Sequence, residues 1–287
     1  MKMSVATRAA FAAAMTLLGS LTVHAEPKKW TEVKIVTEGG FYPWNFTKPD
    51  GTLGGFEIDL AHDLCKRMGV TCTITAQSFD SMIPALNAGK FDAIIDDVAI
   101  TPKRKKAIAF SVPYASLCYT FAAAKGSDLA NMLPPQNKVI SLEDAAQTAA
   151  AMDKVKAAMK GKTIGTLSAG TSVTFVDTYL KDAVQVRQYK TPEARDLDLV
   201  SQRVDVIVGS KDALLGVVKK QGADNVVLAG PCFQGGVVGE GSGVGLRKGD
   251  TELKAMFDKA IKAAQADGTI KKLSEATFGM DVTPMQK

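Results

Sequence analysis

Histidine is scarce in this 287-residue chain, with two in total, His24 and His62. His24 lies in an N-terminal leader, and His62 lies on the polar side of a predicted helix, where a solvated surface position is expected. Because His62 is expected on the surface, a Ser-His-Asp or Cys-His system is not predicted. A zinc site is not predicted either, since no second histidine remains after the leader and the cysteine spacings do not resemble zinc knuckles. The sequence therefore predicts no catalytic residue, no metal site and no cofactor.

Long apolar runs are equally scarce. The run at 9–21 is shorter than the roughly 20 residues that span a bilayer. Lys2 and Arg8 precede it, and a small-residue pattern ends at Ala25, as in a secretory signal peptide. Residues 1–25 are thus predicted to be a leader cleaved after Ala25. Because the first cysteine is Cys65, no lipid anchor is expected at the cut, and the mature protein is predicted to be exported to the periplasm.

Blocks of one charge sign are also absent. Removing Lys2 and Arg8 lowers the formal net charge from +5 to about +3, which gives no reason to expect a nucleic-acid partner. The remaining chain of about 260 residues exceeds the usual size of a single hydrophobic core, so two lobes are expected.

Only four cysteines are present, and in an exported chain they favour disulfides. Cys65 and Cys72 bracket the end of a predicted helix and the start of a strand, so a local bridge is expected. Cys118 and Cys232 either bridge each other or are buried free thiols, because the sequence does not determine connectivity.

Strands and helices alternate twice along the chain, which predicts an α/β fold with two mostly parallel sheets flanked by helices. In the first unit, the pattern gives strands at 33–37, 71–75 and 91–95 and helices at 56–68 and 81–87. In the second, it gives strands at 163–167, 184–189, 204–208 and 225–228 and helices at 171–181, 192–202 and 211–221. The segment 126–161 is predicted to be a loop with an outer helix, and a strand at 244–247 and helices at 251–267 and 270–278 close the chain.

Two turns could bind an anion. Thr101-Pro102-Lys103-Arg104 reads as an N-cap, an N1 proline and an arginine in the first helical turn, which could hold a carboxylate; an ordinary capped surface helix is the alternative. Ser168-Ala169-Gly170-Thr171-Ser172 is a small, hydroxyl-rich turn between a strand and a helix that could bind an anion through its backbone N–H groups, with an ordinary tight turn as the alternative.

Acidic and aromatic residues near these turns are further candidates. Asp96 and Asp97 are adjacent, and adjacent strand residues point to opposite faces, so at most one is expected to face a given cleft. Asp97 is predicted either to pair with Arg104 or to meet a ligand ammonium. The aromatic residues of the loops, such as Phe41, are candidates either for a ligand wall or for the core.

Several segments together resemble the family 3 periplasmic amino-acid-binding proteins. They are the leader, Glu38-Gly-Gly-Phe-Tyr-Pro-Trp, Gly54-Gly-Phe-Glu-Ile-Asp-Leu-Ala, Leu64-Cys-Lys-Arg, Phe91-Asp-Ala-Ile, Ile100-Thr-Pro-Lys-Arg and Gly245-Leu-Arg-Lys-Gly-Asp. Within the family, the sequence is most similar to the lysine/arginine/ornithine, histidine, octopine and nopaline binders.

The resemblance implies a type II binding-protein fold with two lobes and two hinge strands, closing around a ligand and docking as a monomer on an ABC permease. Lobe 1 would comprise 26–116 and 237–287, and lobe 2 would comprise 117–236. Arg104 would hold the ligand carboxylate with Thr171 and Ser172. Glu38 would meet a cationic or polar side chain, and the local Cys65–Cys72 pair would match the family disulfide. The expected apolar walls are Phe41, Trp44 and Phe79.

Two departures bear on the ligand. Where the family is commonly Ser-rich before the Thr-Pro-Lys-Arg turn, this chain has Asp96, Asp97 and Ala99. Where the family usually places an Asp that grips the α-ammonium, it has Ser210. An opine-like or other N-substituted cationic amino acid is therefore the hypothesis, with lysine, arginine or histidine as the plain alternative. A periplasmic cyclohexadienyl dehydratase and a chemosensory binding protein are the functional alternatives.

Overall fold

The computed structural model describes residues 29–116, 118–133 and 138–284. The predicted leader and its cleavage site lie outside the described residues. The strands are β1 (Glu32–Thr37), β2 (Gly40–Phe41), β3 (Asn45–Thr47), β4 (Leu53–Gly54), β5 (Thr71–Ala76), β6 (Ala93–Ile94), β7 (Ala109–Ala115), β8 (Tyr119–Ala124), β9 (Val139–Ser141), β10 (Thr163–Leu167), β11 (Gln185–Tyr189), β12 (Val206–Ser210), β13 (Val226–Gln234) and β14 (Ser242–Leu246). The helices are α1 (Phe56–Met68), α2 (Phe79–Asn87), α3 (Pro102–Ala107), α4 (Asp128–Met132), α5 (Ala145–Met159), α6 (Thr171–Tyr179), α7 (Pro192–Val200), α8 (Lys211–Gln221), α9 (Thr251–Ala266) and α10 (Thr269–Phe278).

Two large sheets organise the chain. The first has the order β5-β1-β6-β14-β7 and the second the order β11-β10-β12-β8-β13-β9, while β2, β3 and β4 form a small third sheet. The first sheet draws on both ends of the described chain and the second on its middle. This arrangement fits the expected lobes, whose end points stay a prediction.

The sheets are mixed rather than purely parallel. Strands that alternate with helices pair in parallel, as β1 does with β5 and β6, and β10 with β11 and β12. The strands next to the two points where the chain passes from one large sheet to the other pair antiparallel: β7 pairs with β14, and β8 pairs with β12 and β13. The sequence analysis missed β7, β8 and β9, because their short apolar runs show no helical or strict alternating period.

Helix ends were predicted well where local chemistry fixes them. Helix α1 ends at Met68 because Gly69 adopts a left-handed conformation with φ 67° and its N–H reaches the last turn. Helix α3 begins at Pro102, and the Thr101 side chain accepts a hydrogen bond from the backbone N–H of Arg104. The predicted capping pattern is confirmed at both sites.

Both pairs of cysteines form disulfides. Cys65 is joined to Cys72 and Cys118 to Cys232, so the structure contains the second bridge that the sequence left open. The first bridge ties α1 to β5. The second ties the start of β8 to β13, so it stabilises the second sheet close to the crossing that enters it.

Each lobe has its own apolar core. One large cluster, including Phe56, Leu60 and Phe257, packs α1 and α9 against the first sheet. Another, including Phe121, Phe175 and Phe233, lies on the second sheet. Within the described ranges, no helix is both long and apolar enough to cross a bilayer. The two cores leave a cleft between them that is lined by residues of both lobes.

Candidate functional site

A cavity of about 330 Å³ lies between the lobes and receives residues from both, a volume typical of small-molecule sites. Most of the predicted ligand residues line this cavity: Glu38, Phe41, Phe79, Asp97, Arg104, Gly170, Thr171, Ser172 and Ser210. They lie near the ends of strands and the starts of helices in both lobes. Such edges are where open α/β sheets place their ligands.

Arg104 is held by the protein backbone rather than by a carboxylate. Its Nη1 donates to the carbonyl of Ala99 at 3.1 Å, and its Nη2 donates across the cleft to the carbonyl of Ala169 at 3.4 Å. Its guanidinium carbon lies 5.3 Å from the centre of the Phe79 ring. Among the described residues, no carboxylate lies within ion-pair distance of Arg104. The half-buried guanidinium is therefore fixed in place with its charge unpaired.

The turn before α6 faces Arg104 from the second lobe. Thr171 is buried, and its hydroxyl is hydrogen-bonded to the hydroxyl of Tyr119. The hydroxyl of Ser172 accepts from the backbone N–H of Leu167 at 3.2 Å, which closes the turn. The first N–H groups of a helix have no partner in the helix itself, so this turn can bind an anion.

Acidic residues gather on the first lobe side of the cleft. The backbone N–H of Glu38 donates to Asp96 Oδ1 at 2.6 Å, and Asp80 also lines the cavity. Burial, reinforced by the carboxylates of Glu193 and Asp80, raises the pKa of Glu38 to about 7. A cationic group placed here would relieve that repulsion, so this end of the cleft favours a positively charged ligand group.

Asp96 and Asp97 both line the cavity, so the prediction that at most one would face the cleft is wrong. The physical reason is that β6 ends at Ile94 and Asp97 adopts φ 44°, which breaks the alternation of an extended strand. Asp97 accepts a hydrogen bond from the Ser242 hydroxyl and makes no ion pair with Arg104 within the described chain. Burial, followed by the nearby carboxylates of Asp212 and Glu57, raises the pKa of Asp97 well above its ordinary value.

The acidic side of the cavity, formed by Glu38, Asp80, Asp96 and Asp97, is called the acidic wall here. The buried carboxylate of Glu57 contacts the backbone of this wall. It accepts hydrogen bonds from the Asn45 amide at 2.7 Å, from the backbone N–H of Asp97 at 2.6 Å and from the Tyr114 hydroxyl. Burial and the charge of Asp96 raise its pKa. Glu57 therefore fixes the backbone that carries Asp97 into the cleft, a role that its place in a helical pattern did not reveal.

Two predicted ligand residues lie outside the cavity lining. Trp44 is fully buried in the first core, with its ring against Phe56 and Phe278, because α1 starts beside it: the Glu57 N–H donates to the Trp44 carbonyl at 2.9 Å. Ala99 is buried and contributes its carbonyl to Arg104. Trp44 is therefore a core residue rather than a cleft wall, and Ala99 positions the arginine.

Ser210 faces the cleft but is already engaged. Its hydroxyl donates to Asp212 Oδ2 at 2.9 Å, and the same oxygen accepts from the Trp44 indole N–H at 2.6 Å. Since Trp44 belongs to the first lobe and Asp212 to α8 of the second, this pair joins the lobes. Burial raises the pKa of Asp212.

Sequence reasoning missed several cavity residues: Ser78, Asp80, Tyr119, Leu167, Lys190, Thr191, Arg195, Gly209 and Ala213. Asp80 follows directly on the predicted Phe79, so the cleft edge of α2 was a usable signal. Arg195 sits within a helical pattern and carries no local signal. Among the described residues, no group of three or more His, Cys, Asp or Glu side chains could hold a metal ion.

Comparisons with known proteins identify the family of the chain. The model of the bacterial extracellular solute-binding proteins, family 3, matches residues 33–280. The chain belongs to this family. It is 41% identical to the octopine-binding periplasmic protein of Rhizobium meliloti over 88% of this chain and 92% of that protein. It is 32% identical to the L-arginine-binding protein of Pseudomonas aeruginosa over 87% of this chain and 89% of that protein.

A solved structure gives the same answer for the fold. An ancestral arginine-binding protein bound to arginine superposes with a TM-score of 0.71 at 31% identity, covering 86% of this chain and 98% of that one. This family 3 protein therefore has the type II periplasmic-binding fold predicted from its sequence. It is a periplasmic solute-binding protein, the kind of component that this family contributes to ABC transporters, rather than an enzyme.

Proposed function

We propose that this protein captures a cationic amino acid with a substituted α-nitrogen, an opine-like ligand, and delivers it to an ABC permease. The observation that carries the proposal is the Arg104 guanidinium, fixed by two backbone carbonyls and left without a carboxylate partner in the described chain. A ligand carboxylate at this position would receive two parallel charge-assisted hydrogen bonds and face the N–H groups at the start of α6.

The acidic wall supports a cation at the other end of the ligand. Glu38 and Asp80 line the cavity with no lysine or arginine within 4.0 Å of either carboxylate in the described chain. A ligand guanidinium or ammonium placed between them would supply that missing charge. A neutral side chain would leave the repulsion that raises the Glu38 pKa in place.

The residues expected near the ligand's α-nitrogen favour a ligand in which that nitrogen carries a substituent. A primary α-ammonium offers three donors and calls for a carboxylate. Ser210 stands where the family usually has an Asp, and its hydroxyl donates to Asp212, while Asp97 lines the cavity from the first lobe instead, so the amine of the ligand is displaced or substituted relative to a standard amino acid. A secondary amine has fewer donors and more bulk, which suits a serine better. The 41% identity with an octopine-binding protein points in the same direction.

Delivery depends on export and closure. The leader at 1–25, cleaved after Ala25, would send the chain to the periplasm, where it would act as a monomer. Ligand contacts to both lobes would stabilise the closed form, because a ligand shifts the equilibrium by its differential affinity for the two forms. The closed form would then dock on the permease.

Calorimetry on the mature protein tests the proposal, with octopine, N-acetylarginine, arginine, lysine, ornithine and histidine as ligands. Octopine is expected to bind most tightly and, at about 1,000 times its Kd, to stabilise the folded state by about 4 kcal/mol in a thermal-shift assay. A preference of tenfold or more for unsubstituted arginine, lysine or histidine would refute the N-substituted ligand while leaving the protein an amino-acid receptor.

A further inference from the structure

Arg195 is a second arginine in the cleft, and it comes from the second lobe. It lies on α7, its side chain is 2% exposed, and it lines the same cavity as Arg104. Burying a guanidinium is costly unless it is paired and hydrogen-bonded. The position therefore calls for a specific reason beyond the surface role that most helical arginines have.

One protein carboxylate satisfies only part of this side chain. Arg195 Nε donates to Asp196 Oδ1 at 2.9 Å, and its Nη2 lies 2.8 Å from the same oxygen. A guanidinium has five N–H donors in a planar fork. The third nitrogen, Nη1, lies on the side of the guanidinium near Gly209, where a Cβ added to Gly209 would be 3.5 Å from it. Gly209 itself lines the cavity.

Two glycines open the path by which the side chain reaches the cleft. Gly165 on β10 and Gly209 on β12 lie beneath it. A Cβ on Gly165 would stand 3.3 Å from Arg195 Cγ, closer than ordinary contacts allow. Larger residues at these positions would push the arginine away from the sheet or cover its Nη1 edge. The residues underneath thus let a buried cation lie along the cavity wall.

We infer that Arg195 anchors a second carboxylate of the ligand, one carried by the substituent on the α-nitrogen. The inference rests on the proposed function and narrows it to N-carboxyalkyl derivatives of cationic amino acids. Arg104 would take the α-carboxylate and Arg195 the added one, while Glu38 and Asp80 take the cation. Arg195 is thus a specificity-determining residue, because an unsubstituted amino acid has no group to offer it.

The test compares octopine, which carries the second carboxylate, with N-acetylarginine, whose substituent is neutral, and with arginine. Arg195→Gln should weaken octopine binding about 10- to 100-fold, the loss expected for a hydrogen-bonded charge partner, and change the other two Kd values by less than about threefold. Asp196→Asn is the matched control, because it removes the ion pair and keeps the arginine. This control should retain the preference for octopine over arginine.

Gly209→Val serves as a second variant should Arg195→Gln fail to fold. It leaves the Arg195–Asp196 pair intact and covers Nη1, so it should also weaken octopine selectively. Equal losses for octopine and arginine, reproduced by Asp196→Asn, would show a purely structural arginine and overturn the inference. If the wild type binds octopine and neither Arg195→Gln nor Gly209→Val weakens that binding, the role of Arg195 is overturned and the proposed function stands. A wild-type protein that binds arginine but neither substituted ligand would overturn the proposed function as well.

Discussion

Replacing Arg104 by alanine tests the ligand site most directly. The variant removes the guanidinium that spans the cleft between the carbonyls of Ala99 and Ala169. Removing one partner of a buried charge pair costs about 3–5 kcal/mol, because the other charge is left desolvated without compensation. At 1.4 kcal/mol for each factor of ten, Kd should rise about 100- to 4,000-fold.

Calorimetry with octopine or arginine measures this loss, and Lys103→Ala is the matched control. Lys103 is exposed on the same short helix, so its removal should leave Kd within about twofold. Arg104→Lys keeps the charge but loses the planar fork, and an intermediate loss is expected. The Thr101 cap bonds the backbone N–H of residue 104, so helix α3 should survive in every variant. An Arg104→Ala protein that binds within about fivefold of wild type would refute this carboxylate site.

Three further outcomes follow from the charges in the cleft and from the contact between the lobes. Glu38 has a pKa of about 7 in the ligand-free fold, so its carboxylate is mostly ionised at pH 7.5 and mostly protonated at pH 5.5. A cationic ligand should therefore bind up to about 20-fold more tightly at pH 7.5 than at pH 5.5, and Glu38→Gln should flatten this dependence. A flat wild-type profile would contradict the placement of the ligand cation beside Glu38. The stability of the ligand-free protein should change with pH in the opposite direction to ligand binding. Because the pKa of Glu38 is raised from about 4.5 to about 7 on folding, its contribution to stability is fully present below pH 4.5 and is lost as the pH rises through 7. The melting temperature should therefore fall between about pH 4.5 and 7, and a rise would contradict a buried Glu38 carboxyl group. Trp44→Phe removes the indole N–H that donates to Asp212 and should weaken ligand binding about tenfold, as measured by calorimetry. Combined with Asp212→Asn, the two losses should be non-additive, because both variants break the same hydrogen bond. Additive losses would show that this bond does not couple the lobes.

Local chemistry in the sequence was enough to predict the turns that hold the site. The Thr101 cap, the Pro102 start and the hydroxyl-rich turn at Thr171 all encode backbone geometry within a few residues, so their patterns carry over directly into structure. The same is true of α1, whose apolar spacing and terminal Gly69 fix both its inner face and its end. The disulfide between Cys65 and Cys72 falls in the same class.

Two α/β lobes and the helix starts at Pro102 and Thr171 were thus predictable from the chain alone, because periodicity, caps and loop chemistry are short-range properties. Tertiary structure alone decided which side chains meet across the cleft. Trp44 lies in the core because α1 begins beside it, and Asp96 and Asp97 both line the cleft because β6 stops at Ile94. Arg195 of α7 reaches the cavity because Gly165 of β10 and Gly209 of β12 lie beneath it. The burial of Trp44 and of Arg195 depends on contacts between separate elements, because burial and charge pairing are settled only when the sheets and helices pack.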